Sequence, residues 1–310
     1  MSRMRRIAPY FVLVVFSFFS IFSHEPFDFD GDDDDDYVPV RTYNGPLDWQ
    51  VNLTSSRRPR KILVSGKFGK NSMFKKDVNK FRRKAVKTGA YSRKDVFAYY
   101  SFPTYIREDP TWSVHLQFLN DEDHPSARGG GYWFWKSVLI EHHLKELDYG
   151  DFIFFHDVDV EHFGDFDRSD YIVEEMIRRN ASLALAVIPF LEQDWTKGDI
   201  FKAVCKDNPI PLIGKTAHYS ANMITFRKTP GIERFVKQWK ELVSDFKLVS
   251  DEPSVHPSFP HFVENRHDQS LLNVLIKCGY PDAFAAAETL DLTGFPSDHD
   301  NCRSWDTMVL

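Results

Sequence analysis

Four short apolar runs constrain what this chain can fold into: KILVSG (61–66), DVFAYYSF (95–102), DFIFF (151–155) and SLALAVIPF (182–190). Short continuous apolar runs rich in β-branched and aromatic residues predict strands buried on both faces. Segments with helical spacing lie between them. FKKDVNKFRRKAVKTG (74–89) sets Phe74, Val78, Phe81 and Ala85 on one side and stops at Gly89. WFWKSVLIEHHLKELDYGD (133–151) ends near Gly150, and YIVEEMIRRN (171–180) is helical again. The order β-α-β-α-β-α-β predicts an α/β fold, its mixed, mostly parallel central sheet flanked by helices. Further along, SANMITFRK (220–228) reads as a strand, and GIERFVKQWKELVSDF (231–246) and HDQSLLNVLIKCGY (267–280) as helices. No second break in composition interrupts this pattern, so one domain is expected over 59–310.

Ahead of it, Arg3, Arg5 and Arg6 precede IAPYFVLVVFSFFSIF (7–22), an apolar run of about 16 residues. A bilayer span takes ~17–25 residues and a signal-peptide core ~7–15. With positive charge before it and acid after it, the segment predicts a cytoplasmic tail at 1–6 and an uncleaved anchor at 7–23. An acidic stem at 24–58 then leads to a lumenal domain. A cleaved signal peptide is the alternative, and both readings put the folded part in the secretory pathway. The sequons at Asn52 and Asn180 agree with that compartment. Net charge is −6, and seven aspartates fall in DFDGDDDDDY (28–37), so no basic stripe suits a nucleic acid. Three cysteines, Cys205, Cys278 and Cys302, allow at most one internal disulfide.

The chemistry concentrates where the third apolar run ends. FFHDVDVEHF (154–163) carries Asp157 and Asp159 directly after the strand, where open α/β sheets collect ligands. Strand alternation predicts both carboxylates on one side. Such a pair suits a hard divalent cation, Mn²⁺ or Mg²⁺, that also holds substrate phosphates. An ordinary turn or helix-capping pair is the bland reading. GGGYWFWKSVLI (129–140) brings three glycines before a helix start, permitting close backbone approach to a ligand. Lys136 falls within the first turn, in reach of a phosphate; Gly130, Tyr132 and Trp135 complete the candidate donor site, with core packing the competing role for the aromatics. In NRHDQSLLNVL (265–275), Asp268 caps a helix or works in the site, and His267 is a third metal ligand or a satisfied buried histidine. WTKGDIF (195–201) either closes over a ligand or is a solvated turn, and residues 248–267 form a proline-containing loop beside the site.

Together, GYWFWK, LKELDYGDFIFFHDVD, DWTKGDIF, FRKTPGIERFVKQWKEL and ENRHDQSLLNVL resemble a family of nucleotide-diphospho-sugar glycosyltransferases over residues 60–280. The resemblance implies a GT-A fold, a nucleotide-sugar donor (UDP-linked), transfer of a hexose to a glycan, glycoprotein or glycolipid, and a Mn²⁺ ion at Asp157 and Asp159. It also implies a Golgi enzyme of type II topology. The HDQS block is similar to the Asp-Gln helix start of glycogenin-like retaining enzymes, which implies sugar-side catalytic roles for Asp268 and Gln269. The C-terminal Lys-Pro-Trp histidine of those enzymes is missing here, and His267 and His299 are its nearest substitutes. A lumenal metal-dependent hydrolase and a non-catalytic glycan-binding protein are the competing functions.

Overall fold

Phe152 and Phe154 pack into one apolar cluster, and Ile153 and Phe155, the alternate residues of the same strand, pack into another. Two-sided burial of this kind requires layers above and below the sheet. The computed structural model describes residues 57–309 except 70–72, 120, 122–123, 160–165, 206–209, 282–287 and 291–306. The chain divides into Met1–Tyr43 and Asn44–Leu310, and all described residues belong to the second unit. The N-terminal anchor, the acidic stem up to residue 56, Asn52, His299 and Cys302 lie outside the described residues. Among those described, no helix is long and apolar enough to cross a membrane.

The elements follow the predicted order closely. Strand β1 (Lys61–Gly66) leads to helix α1 (Met73–Lys87), whose buried Val78, Phe81 and Ala85 recur on one face. Strand β2 (Val96–Tyr99), helix α2 (Trp135–Leu144) and strand β3 (Phe152–His156) follow. Helix α3 (Ser169–Arg178) precedes strand β4 (Leu183–Leu191), and helix α4 (Gly198–Cys205) precedes strand β5 (Ala217–Arg227). Helix α5 (Pro230–Ser244) opens with Thr229, whose hydroxyl accepts from the Ile232 amide, and with Pro230 in the first turn, the two commonest start signals. Helix α6 (Asp268–Val274) continues into a wider π turn at Leu275–Gly279. Short strands β6 (Glu288–Leu290) and β7 (Thr307–Val309) close the chain.

The sheet order is β2-β1-β3-β5-β4, extended beyond β4 by β7 and β6. Strands β2, β1 and β3 are parallel, but β5 enters antiparallel between β3 and β4. The expected run of parallel crossovers therefore stops at β4. The eight-residue helix α4, about 12 Å long, lies between β4 and β5. Helices α2, α5 and α6 contribute to the cluster with Phe155, and α1 and α3 to the one with Phe154. A disulfide between Cys205 and Cys278 ties α4 to the turn after α6.

Candidate active site

The connection after β1 leads to β2 on one side, whereas the connection after β3 leads towards β4 on the other. The switch point of this sheet therefore lies between the C-terminal ends of β1 and β3, and open α/β sheets bind ligands there. Gly66 and Lys67 stand at the end of β1; His156, Asp157 and Asp159 stand at the end of β3. The Ser65 hydroxyl donates to the His156 carbonyl across 2.5 Å and fastens the two ends together.

Lys136, in the first turn of α2 as its position predicts, is 2% exposed. Its ammonium donates to Asp157 Oδ2 at 3.0 Å and to the Ala221 carbonyl at 3.1 Å, and lies 3.7 Å from Asp268 Oδ2. One buried cation thus joins a strand end, a helix start and β5. Burial works against the Lys136 charge, but Asp157 and Asp268 outweigh it and hold the ammonium above its ordinary range. Burial lifts the Asp157 carboxyl, with Lys136 opposing and Asp159 adding to the rise. Asp268 is pushed up to about 7, chiefly by burial, with Lys136 pulling down and Asp157 pushing up. Its Oδ2 has no hydrogen-bond partner.

Asp159 takes a different partner. It is largely exposed and accepts from Lys67 Nζ at 2.5 Å, and Lys67 also donates to Asp77 at 2.9 Å. Burial works against the Lys67 charge, but Asp159 and Asp77 hold its ammonium above the ordinary value. Lys67 was not among the residues singled out from sequence. The rule applied to the end of β3, applied equally to β1, would have found it.

The β5 strand supplies backbone groups. Its pairing with β4 slips between Leu185 and Ala186, a bulge that leaves Ala221 and Asn222 off the β4 ladder; bulges commonly re-aim groups beside active sites. The Asn222 carbonyl accepts from the Asp157 amide at 2.9 Å. Gln269 Oε1 accepts from the Ala221 amide at 2.8 Å, and one turn on, Asn273 bonds both backbone groups of Tyr219. Gln269 is thus a staple from α6 to the bulge.

The glycine run forms a left-handed turn. Gly129, Gly130, Gly131, Tyr132 and Trp133 all have positive φ, between 59° and 91°. The close approach these glycines allow is to protein: a Cβ on Gly130 would sit 2.9 Å from Phe68 Cβ, and one on Gly131 would sit 2.6 Å from the His115 carbonyl oxygen. Trp135 is buried, its indole N–H donating to the Gly129 carbonyl at 2.8 Å and its ring packed edge-on to Phe68. Tyr132 is buried against His267 and Phe246. The core-packing role for these two aromatics is the one their contacts describe.

His267 also has a positive φ of 55°. Its Nδ1 lies 2.7 Å from the Val249 carbonyl, which can only accept, so Nδ1 carries the proton. Burial pushes its pKa down to about 4, so the ring is neutral and Nε2 bears the lone pair. That Nε2 faces Asp251 at 3.8 Å; the contacts of His267 are with Val249, Tyr132, Trp133 and Asp251, and those of Asp157 and Asp159 are with lysines. Among the described residues no group of three or more His, Cys, Asp and Glu side chains is arranged to hold a metal ion. The oxygen donors at the switch point are Asp77, Asp157, Asp159 and Asp268, the ligand type that hard cations take, and each is paired with Lys67 or Lys136.

His156, without an assigned role in the sequence, is buried and stacked on Phe166, its pKa pushed down to about 4 by burial. Asn180 is exposed in the left-handed position that ends α3, and its Oδ1 accepts from Arg227 at 3.3 Å. Lys197 and Asp199 are no solvated turn. Lys197 Nζ donates to the carbonyls of Lys247, Ser250 and Glu252, and Asp199 accepts from the amides of Val255 and His256. The WTKGD segment is a clamp on the 248–267 loop.

No family model and no curated protein sequence matches the chain.

Proposed function

We propose that this protein is a GT-A-type glycosyltransferase, moving a hexose from a nucleotide-diphosphate sugar to a glycan or glycoconjugate acceptor. The observation that carries the reading is the convergence of Asp157, Lys136 and Asp268 within 3.7 Å at the switch point of an α/β sheet. A divalent cation held by Asp157 and Asp159 would supply the counter-charge that a departing diphosphate needs. Lys67 and Lys136 contribute fixed positive charge at the same place. Asp268, a buried carboxyl with an oxygen that accepts no hydrogen bond, is suited to support positive charge developing at the anomeric carbon or to accept the acceptor's proton. The Cys205–Cys278 disulfide supports an oxidising compartment and hence a lumenal catalytic domain behind the N-terminal anchor.

The test uses the full-length chain with a panel of UDP- and GDP-sugars, with Mn²⁺ or with chelator, and measures release of free nucleotide. Release from one donor that requires the cation and is lost in Asp159→Ala is the expected result. Absence of release together with absence of thermal stabilisation by any nucleotide would overturn the transferase and favour a glycan-binding protein.

A further inference from the structure

Beside Asp268, on the far side of His267, lies a second cluster that the donor chemistry does not use. Arg128 Nη1 stands 3.9 Å from Asp251 and 3.8 Å from Glu264, beyond hydrogen-bond length, and its guanidinium lies over the half-buried indole of Trp133. Arg266, 3.4 Å from Glu264, is stacked on Trp195. All four charged side chains are roughly a third exposed or more. Beneath them His267, 2% exposed, presents an unpartnered Nε2 towards Asp251 Oδ1.

We infer that Arg128, Trp133, Asp251, Glu264 and His267 form the acceptor subsite, and that it takes an uncharged pyranose. Two acceptors, a neutral imidazole nitrogen and a carboxylate, face each other across 3.8 Å. Two acceptors side by side call for two donors, and neighbouring hydroxyls of a pyranose supply one O–H to each. The two guanidiniums balance the two carboxylates, so the cluster favours no ligand charge. It offers donors and acceptors together with an indole, which suits a ring bearing hydroxyls around its edge and C–H groups on its faces.

The loop that carries Asp251 and Glu264 is preorganised for this. Lys197 gathers the carbonyls of Ser250 and Glu252 together with that of Lys247 just before the loop, and Gly198 N–H donates to Ser258. Asn265 Nδ2 bonds the Leu248 carbonyl at 3.1 Å. A Cβ at Gly198 would meet the His256 and Pro257 carbonyl oxygens at 2.4 and 2.3 Å, so the clamp closes only with glycine there. Binding groups on a fixed loop lose little entropy when a ligand arrives.

This inference rests on the transferase reading, and its test separates the two. Saturation-transfer NMR on the full-length chain would use methyl glucosides, galactosides and mannosides of both anomers, with maltose, cellobiose and lactose. Binding of at least one sugar is expected, weakened roughly tenfold or more by Trp133→Asn and by Asp251→Asn. Asparagine tolerates the left-handed backbone at 133, and Asp251→Asn is isosteric at a partly exposed site, so both variants should fold. Val255→Ser, on the same loop but highly exposed, should bind like the unmodified chain. Sugar binding that survives both site variants would overturn the subsite. So would failure of every sugar to bind a chain that nucleotides still stabilise, and so would Mn²⁺ binding that disappears in Asp251→Asn. Sugar binding with no response to any nucleotide would keep the subsite and overturn the transferase.

Discussion

Lys136 and Asp157 join the first turn of α2 to the end of β3 through an ion pair of 3.0 Å that is almost closed to solvent. Removing the cation strands two carboxylates. Lys136→Met should therefore destabilise the fold by about 3–5 kcal/mol, measured from the urea midpoint. Adding Asp268→Asn should restore part of that loss, because one stranded charge is removed. Equal stability of the single and double variants would show that Lys136 and Asp268 are not coupled.

Asp159 should behave in the opposite way. Its side chain is 68% exposed and its only described bond is to Lys67, so Asp159→Ala should cost less than about 1 kcal/mol. Cation-dependent nucleotide release should nevertheless fall at least about tenfold, equivalent to 1.4 kcal/mol in the barrier. A large drop in melting temperature would mean that the residue is structural instead.

Two glycines with positive φ separate strain from packing. At Gly89 (φ 79°) an added Cβ meets nothing within 4 Å, so Gly89→Ala should cost only the left-handed strain, about 1–2 kcal/mol. At Gly131 (φ 91°) it would meet the His115 carbonyl oxygen at 2.6 Å, adding roughly 1–3 kcal/mol of overpacking. Equal losses in denaturant would contradict the close packing of Gly131 on the His115 carbonyl.

Lys197→Met would leave the carbonyls of Lys247, Ser250 and Glu252 without their ammonium donor. The loop should open locally, and chymotrypsin should cut after Phe262 at least about tenfold faster. Cleavage at the original rate would show that Asp199 and the serine hydroxyls hold the loop unaided.

Acid should unfold the protein in two stages. His115, His143, His156 and His267 are held near pKa 4 by burial. Their ordinary value is 6.5, so below it the unfolded chain takes up protons that the native state refuses. Stability is full above pH 6.5 and falls towards pH 4, by up to about 1.4 kcal/mol per pH unit for each histidine. Burial opposes the charge of Asp199, but bonds from His256, Val255 and Ser254 prevail and lower it to about 2. Its contribution is present above its ordinary 3.8 and is lost only as pH falls further. Urea midpoints at pH 7, 5 and 3.5 test the order; a flat profile between 7 and 5 would contradict the histidine burial.

Much of this was readable from local pattern. Val78, Phe81 and Ala85 repeat at helical spacing and are the buried face of α1. The unbroken apolar run at 152–155 is buried on both sides, and Lys136 falls in the first turn of its helix. These depend on periods of a few residues, which a sequence displays directly. The tertiary structure alone decided three matters. It set β5 antiparallel between β3 and β4, which no local pattern in the chain announces. It turned the glycine run inwards against Phe68 and His115, whose nearness no spacing predicts. It also chose the partners: Lys136 lies between Asp157 and Asp268, and His267 faces Asp251. Sequence names the ionisable groups and the element ends that carry them. Which charge meets which depends on contacts as far apart as Lys136 and Asp268, or Arg128 and Glu264, and only the packed chain fixes those.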